Sequence, residues 1–543
     1  MPSIVTVNVT TTQAPTPNTL QQMAAFVSQG ATNTTPGTYT LLTSLSSLTP
    51  IINGSKAVTS IAQTAGTATV TTTSAHGFTS GDTLYITIAG ATPAAYNGTF
   101  LCTVTGTSTF TYAVPSGTSS PASGTIVYTV EDVAELNQMA TTWFAQGSNA
   151  AVYVLELGPG NPTDGATFLT TWLTANPQVF YSILVPRTWD GNATFLTLIA
   201  SYEGTTALLY FWVTTTLANY TKYTSLMKCV RSLIETPAYG AWAANALTAL
   251  SETGTTVSAT TTSAHGVAVG QWFQISGCSP TGYNGWKQAI TGTTGSTLVW
   301  TDAGSLGAET VLGTLVQSQY TSAGIGANEF SMAALMYVQT AYTPSSAYRV
   351  PPFAFSYVYG VTPFPTQGNG ALLTTLKAAN TNVIGTGAEG GISNTIVLWG
   401  TGEDGTPINY WYQIDWLNLN INLRISNAVI NGSNNTQAPL YLNQDGVNAL
   451  QAVGAATLSS GITYGLIFGQ VLQTELSGAQ FALNVQAGLY AGYAVINAVP
   501  FATYYAASPS DYSIGKYAGF SVAFTPQNGF TQITFNLNAT QFV

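Results

Sequence analysis

Any chemistry in this chain would have to come from very few side chains. Its 543 residues include two histidines, His76 and His265, and three cysteines, Cys102, Cys229 and Cys278. The cysteines lie far apart with no C-x-x-C spacing, so neither a disulfide framework nor a zinc site is expected. Both histidines fall in one repeated phrase: Thr71-Thr-Thr-Ser-Ala-His-Gly77 returns letter for letter as Thr260-Thr-Thr-Ser-Ala-His-Gly266. A catalytic imidazole here would require a duplicated active site. A structural imidazole, satisfying backbone groups in a turn beside Gly77 and Gly266, requires nothing more. No Ser-His-Asp set, H-E-x-x-H or Cys-His pair can be assembled from the remainder, and no P-loop is present. Gly158-Pro-Gly160 reads as a turn. Gly402-Glu-Asp-Gly405 brings two acids together without further ligands and reads as a hairpin tip rather than a cation loop. The chain is expected not to be an enzyme, with no catalytic, cofactor-binding or metal site.

The repeated phrase belongs to a larger unit. Gly81 aligns with Gly270, and Tyr96-Asn-Gly98 aligns with Tyr283-Asn-Gly285, one loop being two residues shorter in the second copy. Around these anchors (His76, Gly77, Tyr96; His265, Gly266, Tyr283), Thr-rich and aromatic segments read as strands: Ala68 to Thr72, Thr83 to Ile88, Phe100 to Val104, Thr109 to Tyr112 and Gly124 to Tyr128. Two small all-β modules, sandwich-like or barrel-like, are therefore expected at residues 65–128 and 255–317. Trp272 and Trp286 of the second could stack on sugars. The first has Leu84 and Thr99 in those places, so core packing is the better reading.

Only 6% of the chain is charged, against about 25% in an average soluble domain, while 45% is hydrophobic and 11% aromatic. That composition builds cores and excludes disorder. No apolar run approaches the roughly 18 residues of a membrane span. The net charge of −10 argues against a nucleic-acid binder, which needs a basic face. A Thr-, Ser-, Asn-, Gln- and Gly-built exterior with so little charge suits a chain that buries its surface against copies of itself. At this length several domains are expected. The opening residues have neither a basic nor an apolar leader pattern, so no secretory signal is expected.

Outside the modules the pattern alternates. Val133, Leu136, Met139 and Trp143 recur at helical spacing, and Gly147 closes that helix. Strands follow at Ala151 to Leu157, Val179 to Val185 and Leu208 to Thr214, separated by helical stripes at Phe168 to Leu173 and Phe195 to Tyr202. Apolar strands between amphipathic helices imply an α/β sheet with covered faces. Further helices are read at Glu329 to Thr340, Leu372 to Ala379, Trp416 to Ile430 and Val447 to Leu458, and strands at Ile396 to Trp399 and Ile408 to Tyr412.

Both ends alternate at the strand period. Val5, Val7 and Val9 follow Ile4; Phe520, Val522 and Phe524 alternate, as do Ile533, Phe535 and Leu537. Such strands either pair within their own domain or add to the sheets of neighbouring subunits. The second reading makes these residues inter-subunit strands.

In this order of features the chain resembles the tail sheath proteins of contractile bacteriophages. The likeness rests on the extended arm Ile4 to Val9, the α/β region Val133 to Thr214, the Ser331-Met-Ala-Ala-Leu helix leading to Gly360-Val-Thr-Pro363, and the closing block Trp411 to Leu466 with its terminal strand. It is a likeness of pattern: Val350-Pro-Pro-Phe353 and Trp399-Gly-Thr-Gly402 stand where many sheaths carry Pro-Pro-Ser-Gly and Trp-Gly-Ala-Arg-Thr. The resemblance implies an α/β (α+β) core at 21–64, 129–254 and 318–518, with 366–518 facing the tail tube, arms at 1–20 and 519–543, and the two modules as inserted immunoglobulin-like sandwiches or barrels. It implies a structural subunit of the virion tail, assembled in the host cytoplasm as rings stacked into a helical sheath. Its partners would be further copies, a tail tube protein, and baseplate and terminator proteins, with no direct nucleic-acid contact, no membrane insertion and no cofactor. The competing readings are a secreted or virion-surface adhesin and a carbohydrate-binding tail or baseplate protein.

Overall fold

The computed structural model describes residues 19–529 apart from 116, 148–149, 204–207, 224–228, 236–244, 266, 268, 270–271, 303, 305, 319–328, 348, 365–369 and 387–393. Ile4, Val5, Val7, Val9, Ile533, Phe535 and Leu537 therefore lie outside the described residues. The chain divides into two compact units.

The larger unit comprises Gln22–Ala341 and Pro352–Ile408. Its sheet begins with β1 (Ala24–Ser28) and β2 (Tyr39–Leu42). The first repeat then supplies β3 (Lys56–Thr64), β4 (Thr67–Thr72), β5 (Thr83–Ala89), β6 (Gly98–Val104), β7 (Thr109–Ala113) and β8 (Val127–Val130). The main sheet resumes with α1 (Glu131–Gln146), β9 (Val152–Glu156), α2 (Pro162–Ala175), β10 (Ser182–Leu184), α3 (Ala193–Tyr202), β11 (Tyr210–Thr215) and β12 (Val230–Ile234). The second repeat follows as β13 (Asn245–Thr253), β14 (Thr256–Thr261), β15 (Trp272–Ser276), β16 (Gly285–Gln288), β17 (Thr297–Thr301) and β18 (Thr314–Ser318). The unit closes with α4 (Ser331–Thr340), α5 (Gly370–Ala378), β19 (Asn382–Thr386) and β20 (Thr395–Val397).

The main sheet has eight strands in the order β2-β9-β1-β10-β11-β12-β19-β20. The six inner strands run parallel and the two edge strands antiparallel. Every residue of β1, β11 and β12 is buried, as a parallel strand covered by helices on both faces must be. Two helix starts are set by asparagine: the side chain of Asn161 accepts from the N–H groups of Thr163 and Asp164, with Pro162 at the first turn, and that of Asn192 accepts from Thr194 and Phe195. Between α2, α3 and the sheet, Leu169, Trp172, Trp189, Phe195, Ile199 and Phe211 form one core. Each such side chain contributes about 1.5–3 kcal/mol on burial.

The first repeat is a closed barrel, β3-β4-β7-β6-β5-β8, not a two-sheet sandwich. It starts at Lys56, upstream of the expected residue 65. β3 exposes most of its side chains and fully buries only Ile61, so it carries almost no alternating signal. The second repeat keeps the same strand order, β16-β15-β18-β13-β14-β17. Among the described residues β16 and β17 themselves do not pair; just beyond β16 the Ile290 N–H donates to Val299 O (2.8 Å) and the Val299 N–H to Thr293 Oγ1 (3.0 Å). In each repeat the first and last strands are neighbours: Lys56 stands opposite Tyr128, and Asn245 opposite Leu315.

The smaller unit comprises residues 19–21, Tyr342–Pro351 and Asn409–Gly529. It is built from α6 (Ile408–Ser433), α7 (Gln444–Thr463), β21 (Ile467–Phe468), β22 (Gln470–Thr474), α8 (Gly478–Gln486), β23 (Tyr493–Ala498), α9 (Phe501–Ala507), α10 (Pro509–Ser513), β24 (Phe520–Ala523) and β25 (Thr525–Pro526). The strand read at Ile408 to Tyr412 is instead the first turn of α6. Ile408, Tyr412 and Trp416 are buried at a spacing of four, and that helical stripe outweighs the strand propensity of a short Tyr/Trp-rich run. α7 lies on the sheet β22-β23-β24. A Cβ on Gly454 would fall 2.2 Å from Ile496 Cδ1, so a larger residue there would push the end of that side chain aside.

β24 pairs antiparallel with β23, Phe520 opposite Ala498 and Val522 opposite Ile496. β25, directly after Phe524, pairs with β21. For Phe520 and Val522 this corrects the expectation of inter-subunit pairing along one edge, because hydrogen bonding to the adjacent strand of the same unit is locally available. Among the described residues no strand pairs with the outer edge of β22 or of β24.

Candidate functional site

The repeat anchors come together as turn-fixing groups. Nδ1 of His76 accepts the N–H of Phe78 at 3.1 Å, and the ring stacks on Phe78 at 4.6 Å. Nδ1 of His265 accepts the N–H of Val267 at 3.0 Å. Burial lowers both imidazoles from the usual histidine range, partly countered by hydrogen bonding to backbone, so both serve as neutral acceptors. Gly77 takes a left-handed φ of 87°, while Gly266 lies outside the described residues. The hydroxyls of Tyr96 and Tyr283 donate to the carbonyls of Ser119 and Gly307. The unpredicted keystone is the next residue. The Asn97 side chain accepts from Ala91 N–H (2.8 Å) and donates to Ala91 O (2.7 Å), and Asn284 does the same with Cys278 (2.8 and 3.0 Å). Its signal was present, since the Tyr-Asn-Gly triplet is repeated whole.

The turn Gly402–Gly405 also faces inward. Ser232 Oγ donates to the Glu403 carboxyl, which is 2% exposed and is pushed up to about 8 by burial. Asp404 accepts from the Thr406 N–H and hydroxyl. The three cysteines are free thiols, all buried, with Cys102 and Cys229 pushed up to about 12 by burial. A thiol held protonated in this way is inert.

In a doubly wound sheet, ligands enter at the C-terminal strand ends where the strand order reverses. Here that point is β1, with β9 on one side and β10, the strand that follows β9, on the other. The chain's own side chains fill it. Glu156 at the end of β9 accepts from Ser28 Oγ (2.6 Å), Thr32 Oγ1 (2.7 Å) and the N–H groups of Gly30, Thr32 and Gly158. Gln29 accepts from Trp189 Nε1 at 2.6 Å and donates to Asn161 O at 2.9 Å. After β10, Arg187 is paired with Glu235 (2.7 Å) and Glu135 (3.6 Å), donates to Gln138 and to Glu329 O, and lies over the Phe330 ring. Burial raises both carboxyls, against the downward pull of Arg187. The sequence hinted at these residues, because Glu156 and Arg187 are rare charges inside or beside otherwise apolar strands.

The smaller unit shows the opposite character on its exterior. Residues 409–529 hold six charges: Asp415, Arg424, Asp445, Glu475, Asp511 and Lys516. Large apolar side chains stand in solvent there, among them Tyr441, Phe468, Leu483, Leu489, Tyr505 and Ile514, the last 73% exposed. Among the described residues, no strand covers the outer edge of β22 or of β24 in this unit.

No protein-family profile matches the sequence, and no curated protein matches it. Among solved structures, the sheath tail protein Lin1278 from Listeria innocua is similar at 8% sequence identity and a TM-score of 0.34, over 82% of this chain and 85% of that one.

Proposed function

We propose that this chain is the structural subunit of a contractile phage tail sheath, polymerising with copies of itself around a tail tube and shortening to drive genome delivery. The supporting observation is the pairing of opposites described above: a ligand crevice plugged by buried polar side chains, and a small unit whose exterior is apolar, nearly uncharged and edged by open strands. A heterologous contact that does not close on itself generates a helical array. The alternating segments Ile4 to Val9 and Ile533 to Leu537 are the strands assigned to the open edges of neighbouring copies. Such tethers hold subunits together while their bodies move, and sparse charge lets faces repack without stranding unpaired ions. The work is stored in a metastable lattice and no nucleotide is consumed. Tube, baseplate and terminator proteins would bind the ends and inner wall of the array in the virion.

Negative-stain microscopy of the purified full chain tests this reading. Stacked rings or hollow tubes are expected, and monodisperse monomers at all concentrations and salts overturn it. Removing residues 531–543 should abolish long polymers while leaving a folded monomer.

A further inference from the structure

We propose that Lys287 and Asp302 join covalently, through an amide between the lysine Nζ and the aspartate Cγ. Lys287 stands on β16 and Asp302 directly follows β17, two strands that, among the described residues, do not pair with each other directly. Nζ lies 2.6 Å from Asp302 Oδ2, and the two side chains are only 11% and 12% exposed. Nothing comparable occupies the first repeat, where Phe100 and Val114 fill the matching places and β6 pairs with β7.

The local hydrogen bonds suit condensation. Oδ2 takes donors from both Lys287 Nζ and Trp300 Nε1 (3.2 Å), so charge gathering on that oxygen is stabilised. A further Nζ proton goes to the Gly282 carbonyl at 3.0 Å, which fixes the direction of the amine. Shielding the pair from water and holding it at contact supplies the proximity that an intermolecular amide synthesis lacks. The step balances without a co-reactant. The ammonium gives up one proton, the neutral amine attacks Cγ and forms the C–N bond, and the nitrogen gives up a second proton from the tetrahedral adduct. The Cγ–Oδ2 bond breaks with its electron pair on oxygen, and that oxygen leaves with both protons as one water. Oδ1 remains as the amide carbonyl.

The bond would add one covalent rung to a seam otherwise joined by the Ile290–Val299 hydrogen bond. The test is the intact mass of the full-length chain under denaturing conditions, with a tryptic map. Expected is a mass lower than that of the sequence by one water, no cleavage after Lys287, and a branched peptide linking residues 287 and 302. Lys287→Met should restore the full sequence mass, and Asp302→Asn should lose ammonia in place of water. A wild-type chain at its full sequence mass, cleaved after Lys287, overturns the proposal and leaves an ion pair alone.

Discussion

The two repeats keep the same anchors and part company inside. Both fix the His-Gly turn with a neutral imidazole, and both tie a loop to an asparagine side chain at two points. Yet the first barrel packs Phe100 on Tyr112 at 4.4 Å, whereas the second sets Lys287, Asp302 and Trp300 in the same place. The lesson is that turn chemistry specifies the strand order, while the interior of the wall is free to change from ring stacking to ion pairing. A buried pair is indifferent as long as both members are present, and costly once one is removed.

That asymmetry can be broken directly. Lys287→Met strands Asp302 and should destabilise the second barrel by about 3–5 kcal/mol, whereas Phe100→Met in the first should cost under about 1.5 kcal/mol. Amide hydrogen exchange resolved by repeat would read both, and equal losses would show that the two interiors are equivalent after all. The shared anchors should respond alike. Asn97→Ala and Asn284→Ala each leave a backbone N–H and C=O without their partner, for a loss of about 1–3 kcal/mol in the affected barrel, measured by denaturant melts of each variant. Gly77→Ala meets only Pro159 Cγ at 3.7 Å, so its cost is conformational, about 1–2 kcal/mol. Smallest is a pH effect common to both repeats. The unfolded histidines take a proton near pH 6.5, but the folded ones resist it. Stability is therefore full above that pH, falls as pH drops through 6.5 toward the lowered folded values, and then levels. Proton NMR of the two imidazoles should show both titrating below the usual range, and His76→Gln with His265→Gln should flatten that part of the stability profile. Glu403 supplies an internal contrast with the opposite slope. Its folded carboxyl near 8 makes stability decline between about pH 4.5 and 8, a decline that Glu403→Gln removes.

Much of the α/β pattern was readable because helix and strand periods there are unambiguous: α1, α2 and α3 and the strands β9 to β11 fall where the apolar stripes and runs place them. What escaped had weak or misleading local signals. β1 is a run of Ala-Ala-Phe-Val too short and too alanine-rich to stand out, and only its pairing with β9 and β10 makes it central. β3 is nearly all exposed, so the first barrel begins earlier than its repeat suggested. Ile408 to Tyr412 has strand-like composition over five residues and helical burial over nine. The histidines were legible as turn residues because their duplication argued against unique chemistry. Asn97 and Asn284 were not, since an amide bridging its own loop has no signature beyond the triplet itself. Glu156, Gln29 and Arg187 each find partners in distant parts of the sequence, and no local spacing announces those contacts.

Each barrel enters and leaves its host through adjacent strands, Lys56 beside Tyr128 and Asn245 beside Leu315. The chain that carries them therefore experiences only a short gap, about 5 Å wide, the distance between neighbouring strands. Any foreign domain with its termini that close, whether an enzyme, an epitope or a fluorescent reporter, can be spliced at these sockets without stretching the host sheet. Two such ports on one chain would let a single molecule carry two different cargoes, each at a fixed place.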